Sequence, residues 1–152
     1  MHLYSQLTPE RVLIAPSVID RKGLFHLFGE VFQRTGKVGD PDEVSRLLCE
    51  REKILSTAIG GGWAIPHAQM SGIGGLMMAV SVHPEGIEYA SLDELPVRLV
   101  FCLLGDSNTA ADHLAGLARL ARLARHAEVL ERLTQTRSAE DFLSTLRKIE
   151  EA

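Results

Sequence analysis

Apolar and polar positions in this chain follow two different periods. After Asp20, the residues Leu24, Leu27, Phe28, Val31 and Phe32 recur three and four positions apart. That spacing predicts an amphipathic helix closed by Gly36. Asp40-Pro41-Asp42-Glu43 opens a second helix, with a capping side chain, proline at the first helical position and a glutamate three residues after the cap. Its stripe is Val44, Leu47 and Leu48; it is expected to stop near Glu52, leaving KILSTAIGGG as a loop.

Other segments suit strands. These are Val12 to Ala15 before Pro16, Trp63 to Ile65, Leu76 to Val82, and Val97 to Leu104. The last is almost continuously apolar, which predicts burial on both faces. Pro84-Glu85-Gly86 is expected to turn the chain, and Asp106-Ser107-Asn108 to close the last strand. A long helix is predicted from about Ala110, with Leu114, Leu117, Ala118 and Ala121 on one face. A shorter one follows around Glu128 to Leu133. The final helix opens at Ser138, with Asp141 three residues on as a capping box. Strands alternating with helices make an α/β domain in which helices cover a sheet, although the strand order is not legible. No repeat or linker interrupts the pattern, so a single domain over residues 1–152 is expected.

Composition narrows the classes. Among 152 residues, 45 % are hydrophobic and 24 % charged, as in ordinary globular domains. A net charge of −4 and the lack of a basic tail argue against nucleic-acid binding. Cys49 and Cys102 stand far apart outside any CxxC, which fits free thiols in a reducing compartment. The longest apolar runs, LMMAVSV and LVFCLL, fall far short of the roughly 20 residues that span a bilayer. The opening MHLYSQLTPERV has no secretion-signal pattern, so a cytoplasmic protein without membrane insertion is expected.

The candidate chemistry centres on GGGWAIPH, residues 60–67. A phosphate-binding P-loop needs Gly-Lys-Ser/Thr here, and a dinucleotide fingerprint needs a helix after its glycines. Trp63 and a strand follow instead. His67, one of six histidines, comes directly after a proline and is expected to close the strand, at the kind of sheet end where ligands bind. A metal site would require His67, His83 and His113 to converge, and none of their spacings is a helical ligand pair. The nucleophile reading asks for less, because imidazole is mostly neutral at pH 7 and phosphoryl transfer depends chiefly on alignment and nearby positive charge. Arg51, on the last turn of its helix, and His113, near a helix N-terminus that favours anions, are the supporting candidates. Equally open are a surface pairing of Arg51 with Glu50 or Glu52, and a plain first-turn role for His113 beside Asp112. Arg119, Arg122 and Arg125, followed by His126, form a basic row that suits a solvated face or a docking surface.

Four ordered blocks then carry a resemblance over nearly the whole chain: LTPERV, CEREKILSTAIGGGWAIPH, EGIEYASLDELPVRLVFCLL and DHLAGLARLAR. They resemble the enzyme IIA domains, fructose/mannitol type, of the bacterial sugar phosphotransferase system, and the first block resembles the nitrogen-related branch. The resemblance implies an α/β fold with a mixed sheet flanked by helices on both faces; no cofactor or metal is expected. It implies that His67 takes a phosphoryl group on Nε2 from an HPr-type carrier, the phosphate coming ultimately from phosphoenolpyruvate. It casts Arg51 and His113 as orienting and stabilising groups, with Thr57, Gly60 and Gly62 on the supporting loop. The glycines would leave room for the partner's phosphohistidine. Ala68-Gln69 departs from the family's glycine and basic residue after the histidine. Trp63 replaces a smaller aliphatic residue and is expected within reach of the site. The expected function is a nitrogen-branch regulatory phosphocarrier. The alternatives are a sugar-transport IIA subunit serving a separate IIB protein, and a binding regulator that is not phosphorylated.

Overall fold

The computed structural model describes all 152 residues. In chain order the elements are β1 (Val12–Ile14), α1 (Arg21–Thr35), α2 (Pro41–Ile54), β2 (Ala58–Gly60), β3 (Trp63–Ala64), β4 (His67–Gln69), β5 (Met77–Ile87), β6 (Val97–Gly105), α3 (Ala110–Leu123), α4 (Ala127–Thr134) and α5 (Ala139–Glu151). Short 3-10 turns occupy Leu3–Gln6, Pro9–Arg11 and Ser107–Thr109.

The apolar β6 lies inside the sheet, as its composition predicts. The strand order is β1-β5-β6-β3-β2, with β4 also paired to β6. β5 runs antiparallel to β6, β3 and β4 run parallel to it, β1 is parallel to β5 and β2 antiparallel to β3. Successive β6 side chains point to opposite faces, as strand geometry requires. Leu99, Phe101 and Leu103 join Trp63, Leu120, Leu133 and Phe142 in one core, bringing in α3, α4 and α5. Val100, Cys102 and Leu104 join Phe25, Phe28, Phe32 and Leu48 in the other, under α1 and α2. The molecule is therefore a single-domain three-layer α/β fold with a mixed sheet between helices. Cys102 is a buried free thiol whose pKa burial drives upward, and Cys49 is free and partly buried.

The helix starts follow their caps. Asp20 accepts from the Gly23 N–H, Asp40 from Asp42, and the Ser138 hydroxyl oxygen from Asp141. Glu43 does not complete a capping box; it binds Arg46 instead.

Three expectations need correction. KILSTAIGGG is not all loop, because α2 continues to Ile54 and Ala58–Gly60 pairs with β3. A three-residue edge strand is too short to show any alternation. Pro84-Glu85-Gly86 does not reverse the chain; it lies inside β5, where the register with β6 slips between Val82 and Ile87. Gly36 does cap α1, as expected, and it does so in extended backbone. α3 is rotated from its predicted face: it buries His113, Gly116 and Leu120, while Leu114 is 69 % exposed.

The N-terminal turn is anchored from the other end of the chain. The Glu150 carboxylate accepts from the Leu3 and Tyr4 N–H groups, each at 2.8 Å, and from Arg119 Nε at 2.6 Å. That occupies one member of the predicted basic row, while Arg122 and Arg125 remain exposed.

His83 is buried on β5, its Nε2 2.7 Å from the Ser81 hydroxyl. Burial pushes its pKa down to about 4. The unfolded ring titrates near 6.5, so between the two values the unfolded chain binds more protons. The stabilisation is complete above the unfolded value and is lost as pH falls towards the folded one. Urea unfolding is expected to show about 2 kcal/mol less stability at about pH 5 than at about pH 7 from this ring alone. His83→Gln should flatten that dependence; a variant as pH-sensitive as the parent would assign the loss to other groups.

Candidate functional site

β3 and β4 are two pieces of one interrupted strand along β6. Ala64 pairs with Val100 and His67 with Leu103. Between the pieces, Ile65 N–H donates to Thr57 O at 2.9 Å, and Pro66 O accepts from Leu103 N–H at 3.0 Å. His67 therefore opens the second piece instead of closing the first, because the proline ends the regular pairing. It stands beside the carboxyl end of β6, next to the turn that leads into α3. Strand carboxyl ends are where open α/β sheets bind ligands.

The His67 ring is half-buried and held from behind. Its Nδ1 lies 2.7 Å from Ile65 O. A carbonyl only accepts, so Nδ1 carries the proton and Nε2 keeps a bare lone pair. His113 projects from the first turn of α3, its ring centroid 5.5 Å from that of His67 and the two planes 77° apart. It reaches this place because residue 105 is glycine. A Cβ there would meet His113 Nδ1 at 2.9 Å and the Thr109 hydroxyl at 3.0 Å.

Arg51 approaches from the end of α2, and its Nη1 donates to Leu55 O at 2.8 Å. Neither surface pairing considered for it forms: Glu50 binds Arg46, and Glu52 binds Arg21. Arg51, His67, Gln69, His113 and Leu114 line one open cavity of about 310 Å³. Ala110 also borders it, so the first turn of α3 faces the same space, with N–H groups that favour an anion.

Burial is the main influence on both imidazoles and holds each below its ordinary pKa. For His67, the Ile65 carbonyl opposes the shift and the Arg51 charge adds to it; for His113, the His67 ring adds to it. Both rings are therefore neutral at pH 7. A neutral imidazole with a free Nε2, a guanidinium, a second imidazole and a helix N-terminus around one cavity suit an acceptor of a transferable anionic group.

Other expected residues lie elsewhere. Gly60, Gly61 and Gly62 all have positive φ, 91°, 63° and 90°, which explains the run: three left-handed residues turn β2 into β3. That turn is at the opposite end of the strand from His67, beside Asp93 and Leu130, so Gly60 and Gly62 do not border the cavity. They cannot make room there for a partner's phosphohistidine. Trp63 is 1 % exposed and stacks on Phe101, so it belongs to the core. His83 sits towards the glycine end of the sheet, and the three rings considered for a metal do not converge. Thr57 is buried behind the site, where its N–H and hydroxyl bind Glu52. Glu52 and Tyr89 were missed: a glutamate amid the charges of CEREK gives no sign of burial, and Tyr89 lies far away in sequence.

The sequence matches the profile of the Phosphoenolpyruvate-dependent sugar phosphotransferase system, EIIA 2, over residues 5–149. It is 34 % identical to a nitrogen regulatory protein of Bradyrhizobium diazoefficiens, over 96 % of this chain and 95 % of that protein. It is 28 % identical to a PTS system fructose-specific EIIA component of Haloferax volcanii, over 97 % and 96 % of the two chains. The fold superimposes on the crystal structure of nitrogen regulatory protein IIA-Ntr from Neisseria meningitidis with a TM-score of 0.87 and 29 % identity, covering 95 % of this chain and 98 % of that one. With the family profile spanning almost the entire length and the relatives agreeing from end to end, this chain belongs to the type 2 enzyme IIA family of the phosphotransferase system.

Proposed function

We propose that the protein is a phosphocarrier of the nitrogen-regulatory branch, loaded on His67 Nε2 by an HPr-type protein in the cytoplasm. The observation that carries this reading is the Nδ1–H bond to Ile65 O, which leaves Nε2 as the free nucleophile facing the cavity. In the transfer, the Nε2 lone pair forms a bond to phosphorus as the donor's N–P bond breaks. The released electron pair returns to the donor's ring nitrogen. Positive charge developing on the His67 ring stays next to the Ile65 carbonyl, and Arg51 faces the phosphoryl oxygens. The likeness to nitrogen regulatory proteins supports a regulatory output.

The likeness to a fructose-specific EIIA component favours a second reading, in which phosphate passes on to a IIB protein. One experiment tests the first and separates the two. Incubation with phosphoenolpyruvate, enzyme I and an HPr-type carrier should add a single acid-labile phosphate. No gain with several carriers would leave a pure binding regulator. Transfer onward to a fructose IIB protein at a rate matching the loading step would select the transport reading.

His113→Ala is expected to slow loading about tenfold, equivalent to about 1.4 kcal/mol of transition-state stabilisation. Single-turnover transfer measures this, and an unchanged rate would return His113 to a packing role. Gln69 gives the cavity rim a neutral amide where the family more often has a cation, so Arg51 supplies the positive side chain among the lining residues.

A further inference from the structure

Glu52 is the least expected charge in the fold. Its carboxylate is 2 % exposed. It accepts from Thr57 N–H at 3.0 Å, from the Thr57 hydroxyl, and from the Tyr89 hydroxyl at 3.0 Å, while Arg21 Nη1 stands at 3.4 Å. Removing a carboxylate from water costs several kcal/mol unless donors replace the solvent. Here two of the replacements come from Thr57, in the short turn after α2, and the others from Tyr89 and Arg21.

That turn supports both chemical groups. Thr57 O accepts from Ile65 N–H at 2.9 Å, and Ile65 O accepts from His67 Nδ1–H at 2.7 Å. On the other side, Arg51 precedes Glu52 directly, and its guanidinium donates to Leu55 O inside the same turn. Tyr89 reinforces the arrangement: its hydroxyl is 2.8 Å from the Thr57 hydroxyl, and Arg21 donates to its carbonyl at 3.1 Å and lies over its ring.

We infer that Glu52, supported by Tyr89, is a positioning residue that sets the tautomer of His67 and the placement of Arg51 through the Thr57–Ile65 hydrogen-bond chain. Neither residue lines the cavity, so both act only through the groups they hold. The rate effect rests on the phosphocarrier reading, whereas the tautomer effect does not.

Glu52→Gln preserves shape, removes the charge and turns an amide NH₂ towards groups that are themselves donors. It is expected to lower kcat for phosphate uptake between about 10- and 100-fold, as a misplacement near 1 Å does, with KM for the phosphorylated carrier within about twofold. Long-range ¹H–¹⁵N spectra should show His67 changing from a single Nδ1–H form to a tautomer mixture. Tyr89→Phe should move both readouts the same way by a smaller factor, about threefold in kcat. A folded Glu52→Gln that keeps a single His67 tautomer and the parental kcat overturns the inference, as does a rise in KM alone. If Glu52→Gln does not fold, Tyr89→Phe and Thr57→Val decide on the same two readouts; unchanged spectra in both would overturn it. A tautomer change in a protein that never accepts phosphate would refute the carrier reading and leave this one standing.

Discussion

His67→Ala is expected to take up no phosphate at all, with the fold intact. The substitution deletes the only imidazole whose nitrogen is both oriented by the backbone and open to the cavity. His113 cannot replace it, because it is 9 % exposed and its Nδ1 is turned towards Gly105, 2.9 Å from where a Cβ on that residue would stand. Since the His67 ring is half-exposed and its one protein hydrogen bond is to Ile65 O, unfolding free energy should change by less than about 1 kcal/mol. Intact mass measured under alkaline conditions, beside a circular dichroism melt, checks both halves. An acid-labile phosphate on the folded variant would place the acceptor elsewhere.

Arg51→Ala should come next in size. A guanidinium facing a phosphoryl group offsets charge that is most concentrated while the group is in flight, and losing one such donor typically costs on the order of 10²- to 10³-fold in rate. Arg51→Lys restores the charge but not the planar fork, so it should recover only part of the loss. Arg51→Ala also removes the donor to Leu55 O, so its melting temperature should fall slightly, and Arg51→Lys, which keeps a donor, should fall no further. Equal rates for Arg51→Ala and the parent would reduce Arg51 to a cap on the end of α2.

The parts of the fold that were legible in the sequence are those whose signals are local. The Asp40 and Ser138 caps, the helix that begins after Asp20 and the doubly buried β6 all follow from neighbouring residues. His67, Arg51 and His113 were found from motif and spacing, and they do share one cavity. What escaped depends on contacts distant in sequence. Glu52 is buried because Arg21 and Tyr89, 31 and 37 residues away, supply its donors. The glycine run looked like part of the site because it is close to His67 along the chain. Extended backbone between them carries it to the opposite end of the sheet.

The rotation of α3 has a cost of its own. The helix turns an imidazole inward and a leucine outward, the reverse of the partition that solvent favours. This is local frustration, a compromise in which folding free energy is given up to hold a reactive geometry. Leucine at 113 with a polar residue at 114 would restore the usual order and strengthen the helix packing. The better-folded molecule would have lost its second imidazole, so the stability of this helix and its usefulness pull in opposite directions.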